Sequence, residues 1–293
     1  MKVIVDIKGG LGNQMFCYAF GYSIAKQHDA ELWLDTTMLD RQQVNGRSFE
    51  LDNYAIEYEK RLSYKFQDSL MVRKLGINRV RKKNAIGWKT EIYREKRNYQ
   101  FDDCVSNVCV DTYYDGFWQN YRYFADNKKQ LIKMFKPVNP VDEAVLCKEK
   151  EIKEKSGISL HVRRGDYVGL KWQLSMEYYH KAMEVLKKKL NADTDRPLNI
   201  FVFSDDIEYS REYFDSHPDN LINYYYVKYE STNNSLYDMY LTSCCSHNII
   251  ANSSFSWWGG WLNNDPDKIV VCPLKGVWND VIYPKEWIGI STD

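Results

Sequence analysis

Residues 158–167 read Ile158-Ser-Leu-His-Val-Arg-Arg-Gly-Asp-Tyr167, an apolar run that gives way to two cations, a glycine and an acid. A run this short, bounded by a glycine turn, fits a strand buried on both faces. Downstream, residues 175–190 place Met176, Tyr179, Met183, Leu186 and Leu190 three or four apart, along one face of a helix. The alternation continues: strand 198–203, helix 206–215, strand 222–227, helix 234–245, strand 248–251, helix 255–263 and strand 268–272. Strands and helices alternating at this spacing specify a parallel sheet covered on both faces.

Upstream, Pro137 and Pro140 end a helix read over 121–135 and mark a boundary, since the residue before a proline is biased away from helix. A charged helix over 141–155 opens the second series. The chain begins with a strand over 2–7, a glycine loop, an amphipathic helix over 14–28 and a strand over 31–34 ending at Asp35, which is a βαβ opening. Another strand falls near Cys109 to Trp118. Between them, about 40–105 reads as an irregular, tyrosine-rich, basic insertion. The expectation is an α/β protein of two Rossmann-like domains facing a cleft, residues 1–138 and 139–293. No internal repeat competes with it.

Bulk properties agree. A chain of 293 residues exceeds the size at which one core usually keeps growing, and 44% hydrophobic content suffices for two cores. Lys plus Arg equals Asp plus Glu at 40 each, which speaks against nucleic acid as a partner. Charge is uneven locally, with 13 Lys/Arg against 3 Asp/Glu from Lys60 to Arg97. That stretch is either a solvated helical face or a patch for anionic lipid or an acidic glycan carrier. Seven cysteines, with no C-x-x-C pair, signal neither a disulfide framework nor a zinc site. With no signal peptide and no apolar run of about 18 residues, the expected location is cytoplasmic, the lipid reading adding peripheral contact with the inner membrane.

In open α/β sheets ligands sit at the carboxyl ends of strands. There the second series offers Arg163, Arg164 and Asp166, then Ser204, Asp205 and Asp206, then Asn252-Ser-Ser-Phe-Ser-Trp-Trp-Gly-Gly260. An arginine fork grips a pyrophosphate. Hydroxyls and N–H groups at a helix start over 253–256 add donors. An aspartate accepts the paired N–H groups of a guanine edge. Taken singly, the arginines with Asp166 also fit a surface ion-pair cluster, Asp205-Asp206 a helix N-cap, and Trp257, Trp258 and Trp261 a core. All three groups standing at one end of one sheet favours a nucleotide-sugar site. The opening loop, Gly9-Gly-Leu-Gly-Asn-Gln14, lacks the Lys-Ser/Thr of a P-loop and the last glycine of the dinucleotide fingerprint. Asp35 nonetheless stands where that fingerprint puts its ribose-binding acid, so an NAD-dependent oxidoreductase is an alternative. A carbohydrate-binding protein is another, given 9 Trp and 23 Tyr. On the nucleotide-sugar reading Gly10, Gly12 and Asn13 form a lip facing the ligand. Asp193-Thr-Asp195 and Asp265-Pro-Asp267 precede strands, at the wrong end for a metal site, and read as turns.

The segments His161-Val-Arg-Arg-Gly-Asp-Tyr167, Phe203-Ser-Asp-Asp206 and 252–262, with 9–16 and 115–124, resemble the α-1,2-fucosyltransferases of glycosyltransferase family eleven, bacterial type. The resemblance implies a GT-B arrangement and inverting transfer of L-fucose from GDP-β-L-fucose to the 2-hydroxyl of a terminal galactose. The setting it implies is bacterial surface polysaccharide such as O-antigen. It implies neither metal nor cofactor. It assigns Arg163 to the donor's β-phosphate, His161 to the ribose and base, and Asp205 or Asp206 to guanine. Asn252, Ser253, Ser254, Phe255 and Ser256 line the diphosphate, and Arg164 and Asp166 orient the set. For the general base, Asp6, Asp35, Asp115 and Glu177 all qualify by residue type, and the resemblance does not choose among them.

Overall fold

A computed structural model describes residues 1–42, 47–64, 70–138, 141–229, 234–274 and 280–292. The chain divides into two compact units between Phe135 and Lys136. The boundary read from the prolines, 138/139, adjoins residues 139–140, which lie outside the described residues.

The first unit comprises β1 (Lys2–Asp6), α1 (Leu11–Gln27), β2 (Glu31–Asp35), α2 (Thr37–Gln42), β3 (Lys60–Leu62), α3 (Leu70–Lys74), α4 (Ile77–Ile86), β4 (Glu91–Arg94), β5 (Thr112–Asp115) and α5 (Lys128–Met134). Its sheet runs β3-β2-β1-β5-β4, every pairing parallel. Val3, Ile4 and Val5 of β1 are fully buried, as a central parallel strand covered on both faces requires. Helix α1 is buried nearly all round, Gln14 and Ser23 included, so it is a core helix rather than an amphipathic one. Gly21 permits this: a Cβ there would stand 2.4 Å from Val5 Cγ2, so any side chain would force α1 off β1.

The segment 40–105 is not an irregular insertion, because it supplies β3 and β4, the two edges of this sheet, and helices α3 and α4. These strands are three and four residues long and largely exposed, too short and too charged to carry an alternating signal. Nor is its basic character one uniform solvated face. Arg61 pairs with Asp40 and Asp52, and Lys83 donates to the Thr90 carbonyl at 2.6 Å. Lys82 lies 3.6 Å from the Tyr113 ring centroid. The helix read over 121–135 is two 3-10 turns, 121–123 and 125–127, followed by α5.

The second unit comprises α6 (Glu143–Glu154), β6 (Ile158–Val162), α7 (Gly165–Leu170), α8 (Met176–Leu190), β7 (Leu198–Ser204), α9 (Ile207–Ser216), β8 (Ile222–Tyr226), α10 (Asn234–Ser243), β9 (His247–Ile249), α11 (Ser254–Leu262), β10 (Val270–Leu274) and β11 (Ile288–Ser291). The order is β11-β10-β9-β6-β7-β8, again all parallel. Ile158, Leu160 and Val162 pack with Tyr178, Met183 and Leu186 of α8 in one core. Trp257, Trp258 and Trp261 of α11 are almost wholly buried and contact one another at ring distances of 5.1 to 5.9 Å. Truncating a buried tryptophan costs about 3–5 kcal/mol, so this cluster fixes α11, and with it the helix start at Ser254. Among the described residues the seven cysteines are unpaired, and no helix is long and apolar enough to cross a membrane.

Candidate active site

The chain builds the second sheet outward from β6 through β7 to β8, then returns to β9 on the other side and proceeds to β11. The junction of β6 and β9 is therefore a topological switch point, where the loops leaving adjacent strands part and open a crevice. Each group expected to bind follows β6, β7 or β9, which are neighbours in the sheet. Arg163 Nη2 donates to Asp166 Oδ1 at 2.6 Å, and its Nη1 stands 2.6 Å from Asp205 Oδ2. Arg164 Nε meets Asp206 Oδ2 at 3.0 Å, its main-chain N–H donates to Asp205 Oδ1 at 2.8 Å, and its guanidinium lies 3.3 Å from the Tyr209 ring centroid. Asp206 Oδ1 also accepts from Tyr209 N, capping α9. Ion-pair cluster and helix cap are thus both present, superimposed on the strand ends. Gly165 lies close between them: a Cβ there would stand 2.5 Å from Asp205 Oδ2, so that carboxylate would have to shift.

Three buried polar atoms at this point have no hydrogen-bond partner among the described residues: His161 Nδ1, Arg163 Nε and Asn252 Oδ1. Buried polar atoms are almost always satisfied, so an orphaned trio beside a switch point indicates a place made for a ligand. Burial, with the nearby Arg163 charge, depresses His161 to a pKa of about 3, so its imidazole is neutral at any working pH. The Phe255 ring covers it at 5.4 Å. Asn252 is held by its side-chain Nδ2 donating to the Trp172 carbonyl at 2.9 Å, while its main-chain carbonyl accepts from the Tyr167 hydroxyl at 3.3 Å. Ser256 is committed internally, its Oγ accepting from Ala251 N at 2.8 Å. Ser253 makes no capping bond, so the first N–H groups of α11, at Ser254, Phe255 and Ser256, keep the donor character of a helix start.

In the first unit Gly9 takes φ +79°, the left-handed region that favours glycine, and Gly10 is the N-cap of α1. Asn13 is not idle, because its Oδ1 accepts from Gln119 Nε2 at 2.6 Å. Asp35 is buried and engaged on both oxygens, by Thr37 N and by the hydroxyls of Tyr64 and Tyr113. Such internal commitment is unlike a ribose-binding acid. A cavity of about 300 Å³ opens at the carboxyl ends of β1, β2 and β5, where Asp6, Asp35 and Asp115 meet Lys8 and Lys82.

A profile for glycosyl transferase family 11 matches residues 2–291. The chain belongs to this family. Two relatives from Escherichia coli are similar along nearly their whole length. Alpha-1,2-colitosyltransferase is 32% identical over 312 aligned positions, covering 99% of each chain, and the O-antigen biosynthesis glycosyltransferase WbnK is 32% identical over 296, covering 92% of this chain and 93% of the other. Among solved structures, NodZ alpha-1,6-fucosyltransferase soaked with GDP-fucose aligns at TM-score 0.49 and 15% identity, over 89% of this chain and 92% of that one. A mutant of Arabidopsis thaliana FUT1 in complex with GDP aligns at TM-score 0.49 and 14% identity, over 92% and 70%.

Membership in the family makes the protein a glycosyltransferase, which sets aside the oxidoreductase and the non-catalytic sugar binder. The two D-x-D segments of the family 11 chain are exposed turns: Asp193 Oδ1 accepts from Asp195 N and Arg196 N, and Asp265 Oδ1 accepts from Asp267 N. Of the four carboxylates open as bases, Asp6, Asp35 and Asp115 come together, whereas Glu177 projects to solvent from α8, paired with Lys181. Sequence reasoning missed Lys8, Tyr64, Lys82 and Tyr113 in the cavity, and Tyr167 and Tyr209 beside the arginines. Lys8 had a usable signal, two residues past the end of β1. Tyr113, inside a strand, had none.

Proposed function

We propose that this glycosyltransferase transfers L-fucose from GDP-β-L-fucose to the 2-hydroxyl of a terminal galactose, with inversion and without a metal, in the synthesis of a bacterial surface polysaccharide. The observation that carries the reading is the orphaned trio His161 Nδ1, Arg163 Nε and Asn252 Oδ1 at the switch point beside the free helix start of α11. A nucleoside diphosphate supplies what each lacks. Phosphate oxygens accept from Arg163 and from the α11 N–H groups, and the ribose offers hydroxyls to His161 and Asn252.

In the reaction the bond from sugar C1 to the diphosphate breaks while an acceptor hydroxyl attacks the opposite face. Negative charge accumulates on the departing GDP, so a fixed cation there stabilises the transition state more than the ground state. Arg163 holds that role, its fork pre-aligned by Asp166 and Asp205. Donor binding exchanges at least one of these carboxylates for phosphate. Asp205 and Asp206 each retain lone pairs beyond their internal bonds, which is what reading the paired donors of guanine requires.

The relative named for colitose, a sugar that is L-fucose without its 3-hydroxyl, favours one second reading, GDP-colitose as donor. Both are tested by offering GDP-fucose and GDP-colitose with β-galactoside acceptors in the presence of EDTA, scoring GDP release and product linkage. Turnover of neither donor, or a product at another hydroxyl, refutes the proposal.

A further inference from the structure

We propose that helices α3 and α4 of the first unit form a docking surface for an anionic phospholipid bilayer, Met71, Leu75 and Trp88 entering its interface and Lys74, Arg79 and Lys89 meeting its phosphates. The inference concerns this unit alone and is independent of which donor the enzyme uses. From Ser69 to Thr90 the sequence carries seven Lys/Arg and no Asp/Glu. The rest of the chain, with 33 Lys/Arg against 40 Asp/Glu, is net negative. A molecule polarised in this way turns the basic segment towards a negatively charged surface and its remainder away.

Not all seven cations are available. Lys83 donates to the Thr90 carbonyl and Lys82 lies over the Tyr113 ring, so both are committed within the unit. Lys74, Arg79 and Lys89 are exposed, and among the described residues none of the three pairs with an acid. Clustered like charges repel one another, and an anionic surface relieves that repulsion.

The same helices carry apolar side chains in water. Met71, Trp88 and Leu75 are 71%, 65% and 62% exposed, the three most exposed large apolar side chains among the described residues. Leu75 N donates to Met71 O at 3.0 Å, one helical turn, so this pair shares a face. On α4, Val80, Asn84 and Trp88 follow at intervals of four, and the Trp88 indole N–H donates to Asn84 Oδ1 at 3.0 Å, which carries the row past the helix end. The other side of α4 holds Ile86, buried in a cluster with Ile4, Leu62 and Tyr113, with Ala85 packed against it. The row at 80, 84 and 88 is therefore the face turned away from the sheet. Gly76, at φ +65°, makes the turn from α3 into α4, and the two helices pack together. Large exposed apolar side chains rimmed by charge mark an interaction surface.

Other occupants satisfy only half of it. A second copy docking by the same face would set seven cations against seven. An acidic glycan answers the cations but leaves Met71 and Leu75 uncovered. A bilayer with anionic headgroups offers both layers: phosphates level with the cations and, beneath them, the acyl boundary in which an indole and aliphatic chains settle.

The test uses the full chain and vesicles of phosphatidylcholine, alone or mixed with phosphatidylglycerol. Expected is cosedimentation with the mixed vesicles only, weakening at least about tenfold between about 0.05 and 0.5 M salt. Joint replacement Lys74→Gln, Arg79→Gln and Lys89→Gln should weaken it by about 100-fold, since each cation near such a surface contributes about fivefold. Met71→Ser with Trp88→Ser should weaken it by at least about tenfold. Both sets are at exposed positions, so thermal melts should match wild type. In the unmodified chain, phosphatidylcholine brominated on its acyl chains should quench tryptophan emission from the mixed vesicles, and Trp88→Phe should remove most of that quenching while binding persists. No binding to mixed vesicles, equal binding to phosphatidylcholine alone, binding unchanged in the glutamine variant, or quenching unchanged in Trp88→Phe each overturns the proposal. Dextran sulfate held as tightly as the vesicles and indifferent to the serine variant would assign the surface to an acidic polymer. A concentration-dependent dimer lost in that variant would assign it to a second copy, and either result overturns the bilayer.

Discussion

On the proposed function, replacing Arg163 by alanine isolates the contribution of one guanidinium to leaving-group stabilisation. Loss of one preorganised donor at a developing oxyanion costs about 3–4 kcal/mol, or about 10²–10³-fold in kcat. Folding should suffer far less. The Arg163 side chain is 30% exposed, with Asp205 at 27% and Asp166 at 46%, so both ion pairs are wet. Such pairs contribute about 0–1 kcal/mol each. Their joint loss lowers Tm by no more than about 8 °C. Asp205 keeps its bond from Arg164 N, so the strand end stays in place. The assay is GDP release at saturating donor, beside calorimetric GDP affinity and a thermal melt. Arg163→Lys retains the charge without the fork and should fall between wild type and alanine. A kcat for Arg163→Ala within tenfold of wild type would refute the reasoning, as would a melt so depressed that no folded protein remains at assay temperature.

Asp166→Asn removes a carboxylate that competes with phosphate for Arg163, and GDP affinity should rise by up to about fivefold; weaker binding on calorimetry would show Asp166 to be a support instead. His161 has a folded pKa of about 3 against about 6.5 unfolded, so its neutral burial stabilises the fold above pH 6.5 and that stability is lost as pH falls towards 3. Between pH 6.5 and 5.0 the loss is about 2 kcal/mol in urea unfolding and should be absent from His161→Phe, so identical losses in both proteins would contradict it. If Arg163 supplies the charge that a metal would, as proposed, EDTA should leave turnover within about twofold; dependence on added manganese would overturn this.

The second sheet was legible because its central strands are buried on both faces: Ile158 to Val162 and Leu198 to Phe203 are near-continuous apolar runs flanked by turns. Strand β3, Lys60-Arg-Leu62, and strand β4, Glu91 to Arg94, were not legible, because edge strands expose their side chains and carry charge. That the groups around Arg163 lie together at the strand ends was legible because each directly follows a strand. That Asp35 is occupied could not be read, because it depends on a hydroxyl 78 residues away on Tyr113. Spacing within a motif encodes local chemistry; which of several like residues is already satisfied is decided by the tertiary fold.

The missing side chain at Gly165 also makes it a handle. Any methyl there competes for the space of an Asp205 oxygen, so an uncharged substitution alters which anion the neighbouring guanidinium holds. Drift at this one small residue would retune nucleotide grip while every ionisable group stayed the same, a route to changed donor preference that comparing charged positions alone would overlook.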